Sequence, residues 1–233
     1  MEELGKFLRP TAVIDSDNED VIAFAHKVVG TERDPREMAS RLFYAVRDGI
    51  WYDPYTPFYR REHYRASEVL RRKRAFCIPK AVLLCALGRA LSIPSRLSFF
   101  DVKNHLATRE LMEFLGTDIF VFHGVTEFFL EGRWVKATPA FNKELCDLHR
   151  VPPVEFNGRD DAIFQPFNLE RRRFMEYIRY RGTYDDLPLE EIIRAFEEVC
   201  GRERVRGWIE FFERTGSLTL RDFAKEEVWK GEG

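Results

Sequence analysis

The chain has 233 residues, 45% of them hydrophobic and 33% charged, which is enough apolar material for one sizeable core. Its 37 basic and 39 acidic side chains nearly balance, so no global field favours nucleic acid or an anionic membrane surface as a partner. The sequence contains no apolar run of about 18 residues that would span a membrane, and its first residues lack the apolar core of a signal peptide.

The cysteine spacing argues against a zinc site and against a disulfide framework. The four cysteines stand at positions 77, 85, 146 and 200, with no CxxC pair among them. We therefore expect a reduced, cytoplasmic protein without a bound metal.

The amino-terminal part is predicted to be helical. Polar residues 17–20 supply caps for a helix that starts near Val21, and Asp34-Pro35 starts a second helix that runs to about Val46. Apolar residues recur in the second helix at helical spacing, which predicts one buried face.

An aromatic segment at 50–59 is broken by prolines and is predicted to be a loop whose rings pack on the rest of the protein. The favoured interpretation is a hydrophobic flap over the core. The alternative is one wall of a substrate cleft, in which Trp51, Tyr52 and Tyr55 would contact the substrate.

A buried helix is predicted next. Residues 66–70 form a short helix, and the four cations at 71–74 indicate a solvated turn rather than a nucleic-acid site, because the run is short and isolated. Residues 77–91 are apolar at nearly every position apart from Lys80 and Arg89. A helix that is hydrophobic on all sides is a buried one.

The second half combines strands, a long loop and further helices. In chain order we expect a strand at 95–100, a charged helical insertion at 104–116, strands at 119–130 and 133–141, a loop-rich segment at 142–170, and amphipathic helices from 189, at 205–213 and at 220–229. The sequence thus predicts a core domain at 1–170 and a helical carboxy-terminal extension at 171–233 that packs on it.

Cys77 is the strongest candidate for a chemical role. Proline is tolerated only in the first turn of a helix, so Pro79 fixes the helix start at about residue 77 or 78. Backbone amides at a helix start lower a thiol pKa and can stabilise an oxyanion, which favours a nucleophile. For the other three cysteines we favour the ordinary role of a small buried residue.

His123, on a strand-like run, is the candidate general base for this thiol. If Glu131 and Gly132 form the hairpin turn, His123 lies opposite Ala140, with residues 138 and 142 as its diagonal neighbours on the same face. Either Thr138 or Asn142 would then accept a hydrogen bond from the imidazole and fix its tautomer.

Two sequence blocks carry a resemblance to a known family. The first is Cys-x-x-Lys-Ala from Cys77, followed by Ala-Leu-x-Arg-Ala-x-x-Ile-Pro-x-Arg from Ala86; the second is His-Gly-x-x-Glu-x-x-Leu-x-Gly-x-Trp-Val from His123. Together with the segments at 46–52 and 66–70, they resemble the core of the transglutaminase-like superfamily over roughly residues 10–145.

This resemblance implies a papain-like α+β fold, in which a buried helix carrying the nucleophile packs on an antiparallel sheet. It also implies a Cys-His-Asp triad and acyl transfer from amides to amines or water, through a thioester and without a metal or cofactor. Cys77 matches the nucleophile and His123 the base. At the position of the family's aspartate stands Thr138, and Asn142 is the residue that would replace the acid.

The resulting expectation is a cysteine enzyme acting on a peptide or protein amide. The alternative is a non-catalytic module that binds a protein or peptide, which the threonine at position 138 supports. A third reading, an acyltransferase with a small thioester donor, requires a donor pocket. The sequence leaves open the choice between hydrolysis and amine transfer, and the oligomeric state.

Overall fold

The computed structural model describes residues 2–226 and has the expected α+β architecture. Its helices are α1 (Glu2–Gly5), α2 (Glu19–Val29), α3 (Pro35–Gly49), α4 (Ala66–Arg72), α5 (Cys77–Ala90), α6 (Arg109–Leu115), α7 (Lys143–His149), α8 (Leu189–Cys200) and α9 (Arg202–Thr215). Its strands are β1 (Trp51–Tyr52), β2 (Arg74–Ala75), β3 (Ser95–Asn104), β4 (Ile119–Leu130), β5 (Arg133–Ala137) and β6 (Met175–Tyr184).

Within residues 2–226, the main sheet has the order β5-β4-β3-β6 and is antiparallel throughout, while β1 and β2 form a small parallel pair. The predicted hairpin register is confirmed, since Leu130 pairs with Arg133. The β4–β5 ladder ends at Thr126 opposite Ala137. The expected pairing of His123 with Ala140 is therefore wrong.

The predicted helix starts of α2 and α3 are confirmed together with their caps. The Asn18 side chain accepts the backbone N–H of Asp20, and the Asp34 side chain accepts that of Arg36. Such caps satisfy amides that have no partner within the helix.

Helix α5 lies at the centre of the core, as its composition predicts. It packs against α2, α3 and α4 on one side and against β3 and β4 on the other. The two charged residues on it are buried but satisfied: Lys80 donates to the carbonyls of Arg47 (2.8 Å) and Ile50 (2.5 Å), and Arg89 donates to three backbone carbonyls. These contacts explain how the protein tolerates buried cations.

Two elements differ from the expectation. Helix α7 lies within the predicted loop 142–170, and β6 lies within the predicted helical extension, where it pairs with β3 along its length. Strand β6 is at the sheet edge and most of its side chains are at least partly exposed, so it lacks the clean alternation that marks a half-buried strand. The boundary at residue 170 consequently cuts through the sheet domain.

The rest of the extension follows the prediction more closely. Helices α8 and α9 occupy the segments expected to be helical, and α8 packs against β4. In the predicted helix 220–229, the described part contains only a 3-10 turn at Phe223–Lys225, and residues 227–229 lie outside the described residues. No helix in the described part of the chain is long and apolar enough to cross a membrane.

Candidate active site

Cys77 is the first residue of α5, as the position of Pro79 predicted. The residue before it, Phe76, provides no side-chain cap, so the first backbone amides of the helix remain available. The amides of Cys77 itself, Ile78 and Gly124 act on the sulfur as hydrogen-bond donors and lower the thiol pKa. The side chain is partly exposed to an adjacent cavity.

Burial outweighs these amides in setting the thiol pKa. Desolvation of the sulfur is the largest influence, and it raises the pKa of Cys77 to about 11. The expected low thiol pKa is therefore wrong for the resting structure. At neutral pH the sulfur carries its proton.

Gly124 allows β4 to approach the start of α5 closely. A Cβ atom at this position would lie 2.9 Å from the Ile78 Cα and 3.3 Å from the Ala81 Cβ. Two residues farther along β4, the Thr126 hydroxyl donates to the Ala81 carbonyl of α5 at 2.8 Å. These contacts hold β4 against the first turns of α5, and His123 is the residue of β4 directly before Gly124.

The His123 ring is buried among aromatic side chains and is only 3% exposed. Its centroid lies 5.1 Å from that of Phe164 and 6.2 Å from that of Tyr177. Within the described residues, its Nε2 atom is buried without a hydrogen-bond partner. Desolvation lowers the pKa of His123 to about 3, so the imidazole is neutral at pH 7.

A β-bulge directly precedes His123. Between the pairs His123–Phe100 and Phe120–Val102, β4 contains two residues where β3 contains only Asp101. In this bulge Phe122 adopts a left-handed conformation with φ of 55°, which is strained for an aromatic residue. Such strain often marks functional positions.

Asp101 holds the bulge in place from the neighbouring strand. Its Oδ1 atom accepts the Phe122 N–H at 3.2 Å, and both carboxylate oxygens accept the Arg181 Nε–H at 2.9 Å. Because Arg181 belongs to β6, this one carboxylate on β3 ties together β4 and β6, the two strands on either side of β3.

Thr138 and His123 are both buried next to Tyr177, although the β4–β5 ladder does not extend to Thr138. Burial raises the pKa of Tyr177 to about 12, and the nearby Thr138 hydroxyl acts in the opposite direction and lowers this pKa. In the described part of the chain, Thr138 Oγ1 itself makes no well-formed hydrogen bond. Two buried polar atoms, His123 Nε2 and Thr138 Oγ1, thus remain unpaired around one tyrosine.

Asn142 has a different role from the expected one. Its Nδ2 donates to the carbonyls of Arg47 (2.6 Å) and Ile50 (2.9 Å), and its Oδ1 accepts the N–H of Tyr52 at 2.6 Å. The side chain therefore fixes the turn between α3 and β1, in place of the predicted contact with the imidazole. Lys80 binds the same two carbonyls.

A cavity of about 90 Å³ adjoins Cys77, and the aromatic loop forms one of its walls. Of the three residues expected to contact substrate, Tyr52 lines this cavity. Trp51 instead pairs with Arg74, and the Tyr55 hydroxyl donates to the Glu226 carboxylate at 2.7 Å.

The family model of the transglutaminase-like superfamily matches residues 22–139, just over half of the chain. This chain belongs to the transglutaminase-like superfamily. The matched region includes Cys77 and His123 and ends one residue after Thr138. No curated protein matches the chain.

Solved structures similar to this transglutaminase-like chain cover it only in part. A candidate cysteine protease from Cytophaga hutchinsonii has 20% identity and a TM-score of 0.47, with 60% of this chain and 42% of that chain covered. A candidate protease from Parabacteroides distasonis has 15% identity and a TM-score of 0.37, with coverage of 55% and 26%. The periplasmic domain of TgpA from Pseudomonas aeruginosa has 17% identity and a TM-score of 0.38, with coverage of 52% and 42%. The chain thus spans less than half the length of these proteins.

Sequence reasoning missed two rings of this transglutaminase-like site, Phe164 and Tyr177. Both contact His123, but one lies in the predicted loop and the other on the unpredicted strand β6. Aromatic residues are enriched in strands, so the three aromatic residues at 174, 177 and 180 were the available signal, although they do not alternate with polar residues. Among residues 2–226, no three His, Cys, Asp or Glu side chains cluster as metal ligands.

Proposed function

We propose that the chain is a cysteine enzyme that cleaves an amide, or transfers its acyl group, through a thioester on Cys77. The observation that carries this proposal is the place of the thiol at the start of α5, where amides from the helix and from Gly124 reach the sulfur. The same amides can bind the oxyanion of a tetrahedral intermediate.

The reaction starts from a neutral thiol and a neutral imidazole. His123 takes the thiol proton as the sulfur attacks the carbonyl carbon and forms a C–S bond. The imidazolium then gives this proton to the leaving nitrogen as the C–N bond breaks. Water or an amine attacks the thioester, its proton returns through His123 to the sulfur, and the acid or the new amide is released.

Amide turnover tests this proposal. With peptidyl p-nitroanilides, the release of p-nitroaniline reports cleavage of the amide by either route, and a hydroxamate that forms when hydroxylamine is added reports acyl transfer. Both products should form with the wild-type protein and be absent with Cys77→Ala. Equal release by the two proteins would contradict a role for the thiol.

One observation favours a second candidate function, a binding module that has lost catalysis. The buried Nε2 of His123 has no partner in the described structure, and the family's aspartate is replaced by Thr138. No carboxylate therefore offsets the cost of forming an imidazolium there. A wild-type protein that binds peptides but never turns them over would support this alternative.

The remaining parts of the proposal concern substrate and compartment. We propose a peptide or protein amide as substrate, in keeping with the acyl chemistry of the site. The free state of all four cysteines supports a reducing compartment such as the cytoplasm. Thiol labelling of protein taken directly from cells tests the proposed compartment, since all four cysteines should react as free thiols.

A further inference from the structure

The cavity beside Cys77 is lined mostly by apolar side chains. Its walls come from the aromatic loop, the start of α5, α6, the first residues of β4, and the carboxy-terminal extension. Among residues 2–226, no Asp, Glu, Lys, Arg or His side chain lines it. A charged group placed there would lose its hydration without gaining a partner.

The extension supplies a wall that lies outside the family's matched core. Four lining residues share this origin: Phe196, Cys200, Trp208 and Leu218. The Trp208 indole stacks on the Phe114 ring, with centroids 4.5 Å apart and an interplanar angle of 15°. Since both rings line the cavity, this stack joins α6 to α9 at its wall.

We infer that this cavity is the acyl pocket of the enzyme and that it selects a branched aliphatic, uncharged acyl donor, with the extension as its specificity wall. This inference rests on the proposed function for the chemistry at Cys77. It adds a substrate class to that function, and it assigns the extension a part in substrate recognition.

The volume of the cavity sets the size of the group. An apolar cavity of about 150 Å³ holds a benzene ring, whereas the cavity beside Cys77 measures about 90 Å³. It therefore fits an isobutyl-sized group of about four carbon atoms rather than a phenyl ring. Removal of the indole by Trp208→Ala should allow the larger ring to enter.

Alkylation rates at Cys77 test the inference without a known substrate. We compare the N-isobutyl, N-benzyl and N-(2-carboxyethyl) iodoacetamides in a Cys200→Ser background and follow labelling of Cys77 by peptide mass. The rate of each reagent with Cys77 is divided by the rate of the same reagent with glutathione. The isobutyl reagent should label Cys77 about tenfold faster than the other two. In Trp208→Ala the benzyl reagent should become the fastest. Phe211→Ala, an aromatic truncation on α9 outside the cavity, should keep the wild-type order.

The outcomes separate the pocket from the reactive thiol. Equal normalised rates for all three reagents would overturn the pocket while leaving Cys77 as the nucleophile. If no reagent labels Cys77, the result contradicts the proposed function, because Cys77 is then not a reactive nucleophile. The pocket is in that case tested by thermal shift on the Cys77→Ala protein. N-acetyl-leucinamide should raise the Tm of this variant and N-acetyl-glutamate amide should not. Equal shifts would overturn the inference.

Discussion

At the scale of single residues, the candidate site consists of two neutral groups that burial desolvates, the Cys77 thiol and the His123 imidazole. Desolvation raises the pKa of Cys77 to about 11 and lowers that of His123 to about 3. Both shifts oppose the formation of a thiolate–imidazolium pair. The residue that would reverse this balance in the superfamily is an aspartate, and here Thr138 stands in its place, with a hydroxyl that has no hydrogen-bond partner among the described residues.

Replacement of Thr138 by Asp should therefore raise activity. A carboxylate beside His123 would accept a hydrogen bond from the unpaired Nε2 and stabilise the imidazolium, which we expect to increase kcat/KM on the order of 100-fold. Thr138→Asn, of similar size but without charge, is the matched control. If Asp and Asn have the same effect on p-nitroanilide turnover, the missing charge does not limit catalysis.

The depressed pKa of His123 predicts a loss of stability in acid. The unfolded state takes up a proton below its pKa of about 6.5, whereas the folded state does so only near 3. Stability is thus complete above pH 6.5 and falls as the pH drops through this window, by on the order of 3 kcal/mol at pH 4.5.

His123→Gln removes this contribution and tests it. Urea unfolding at neutral pH and at acid pH should show a smaller acid loss for the variant than for the wild type. Burial also lowers the pKa of His63 and of His149 to about 4. The wild type and His123→Gln therefore both retain the loss of stability in acid that these two histidines cause. An unchanged acid loss would mean that the His123 ring is hydrated in solution.

At the scale of elements, the site depends on the contact between β4 and the start of α5. Gly124 allows this contact, and Asp101 and Arg181 hold the bulge that precedes His123. The helix carries Cys77 and the strand carries His123. A change in the spacing between these two elements should therefore affect both reactivity and stability.

Gly124→Ala tests this spacing. Its Cβ would meet the Ile78 backbone at 2.9 Å, and overpacking of this kind costs about 1–3 kcal/mol. The free energy of unfolding should fall by this amount, and alkylation of Cys77 should slow as the Gly124 amide moves from the sulfur. Gly207→Ala, at a helical glycine with nothing within 4 Å, should leave both unchanged or improve stability slightly. Equal effects of the two substitutions would contradict the close contact.

The elements also differ in how well the sequence predicts them. The start of α5 and the β4–β5 register were predictable because Pro79 and the Glu131-Gly132 turn act through local geometry. Strand β6 was not, because an edge strand with exposed side chains has little hydrophobic pattern. The roles of Asn142 and Tyr177 were not predictable either, because each depends on contacts between segments distant in the chain.

At the scale of the whole molecule, the extension is part of the fold rather than an appendage. Strand β6 completes the sheet, α8 packs on β4, and Leu189, Ile192 and Val205 belong to the same buried cluster as the residues of α5. The extension therefore supports the sheet and also lines the cavity beside Cys77.

Truncation of one core residue of α8 tests this integration. Ile192 is fully buried, so Ile192→Ala should lower the free energy of unfolding by about 2–5 kcal/mol. Ile193→Ala, on the same helix but only partly buried, should cost clearly less. A loss of similar size at both positions in urea unfolding would indicate that α8 does not pack in this register.

The central claim is that Cys77 forms an acyl-enzyme with the help of His123. The most direct measurement is the peptide mass of the protein after brief exposure to p-nitrophenyl isovalerate, for the wild type and for His123→Gln. We predict one acyl group on the Cys77 peptide, formed on the order of 100-fold more slowly in the variant. Acylation spread over the other cysteines and lysines with Cys77 unmodified, or equal rates in the two proteins, would contradict the claim.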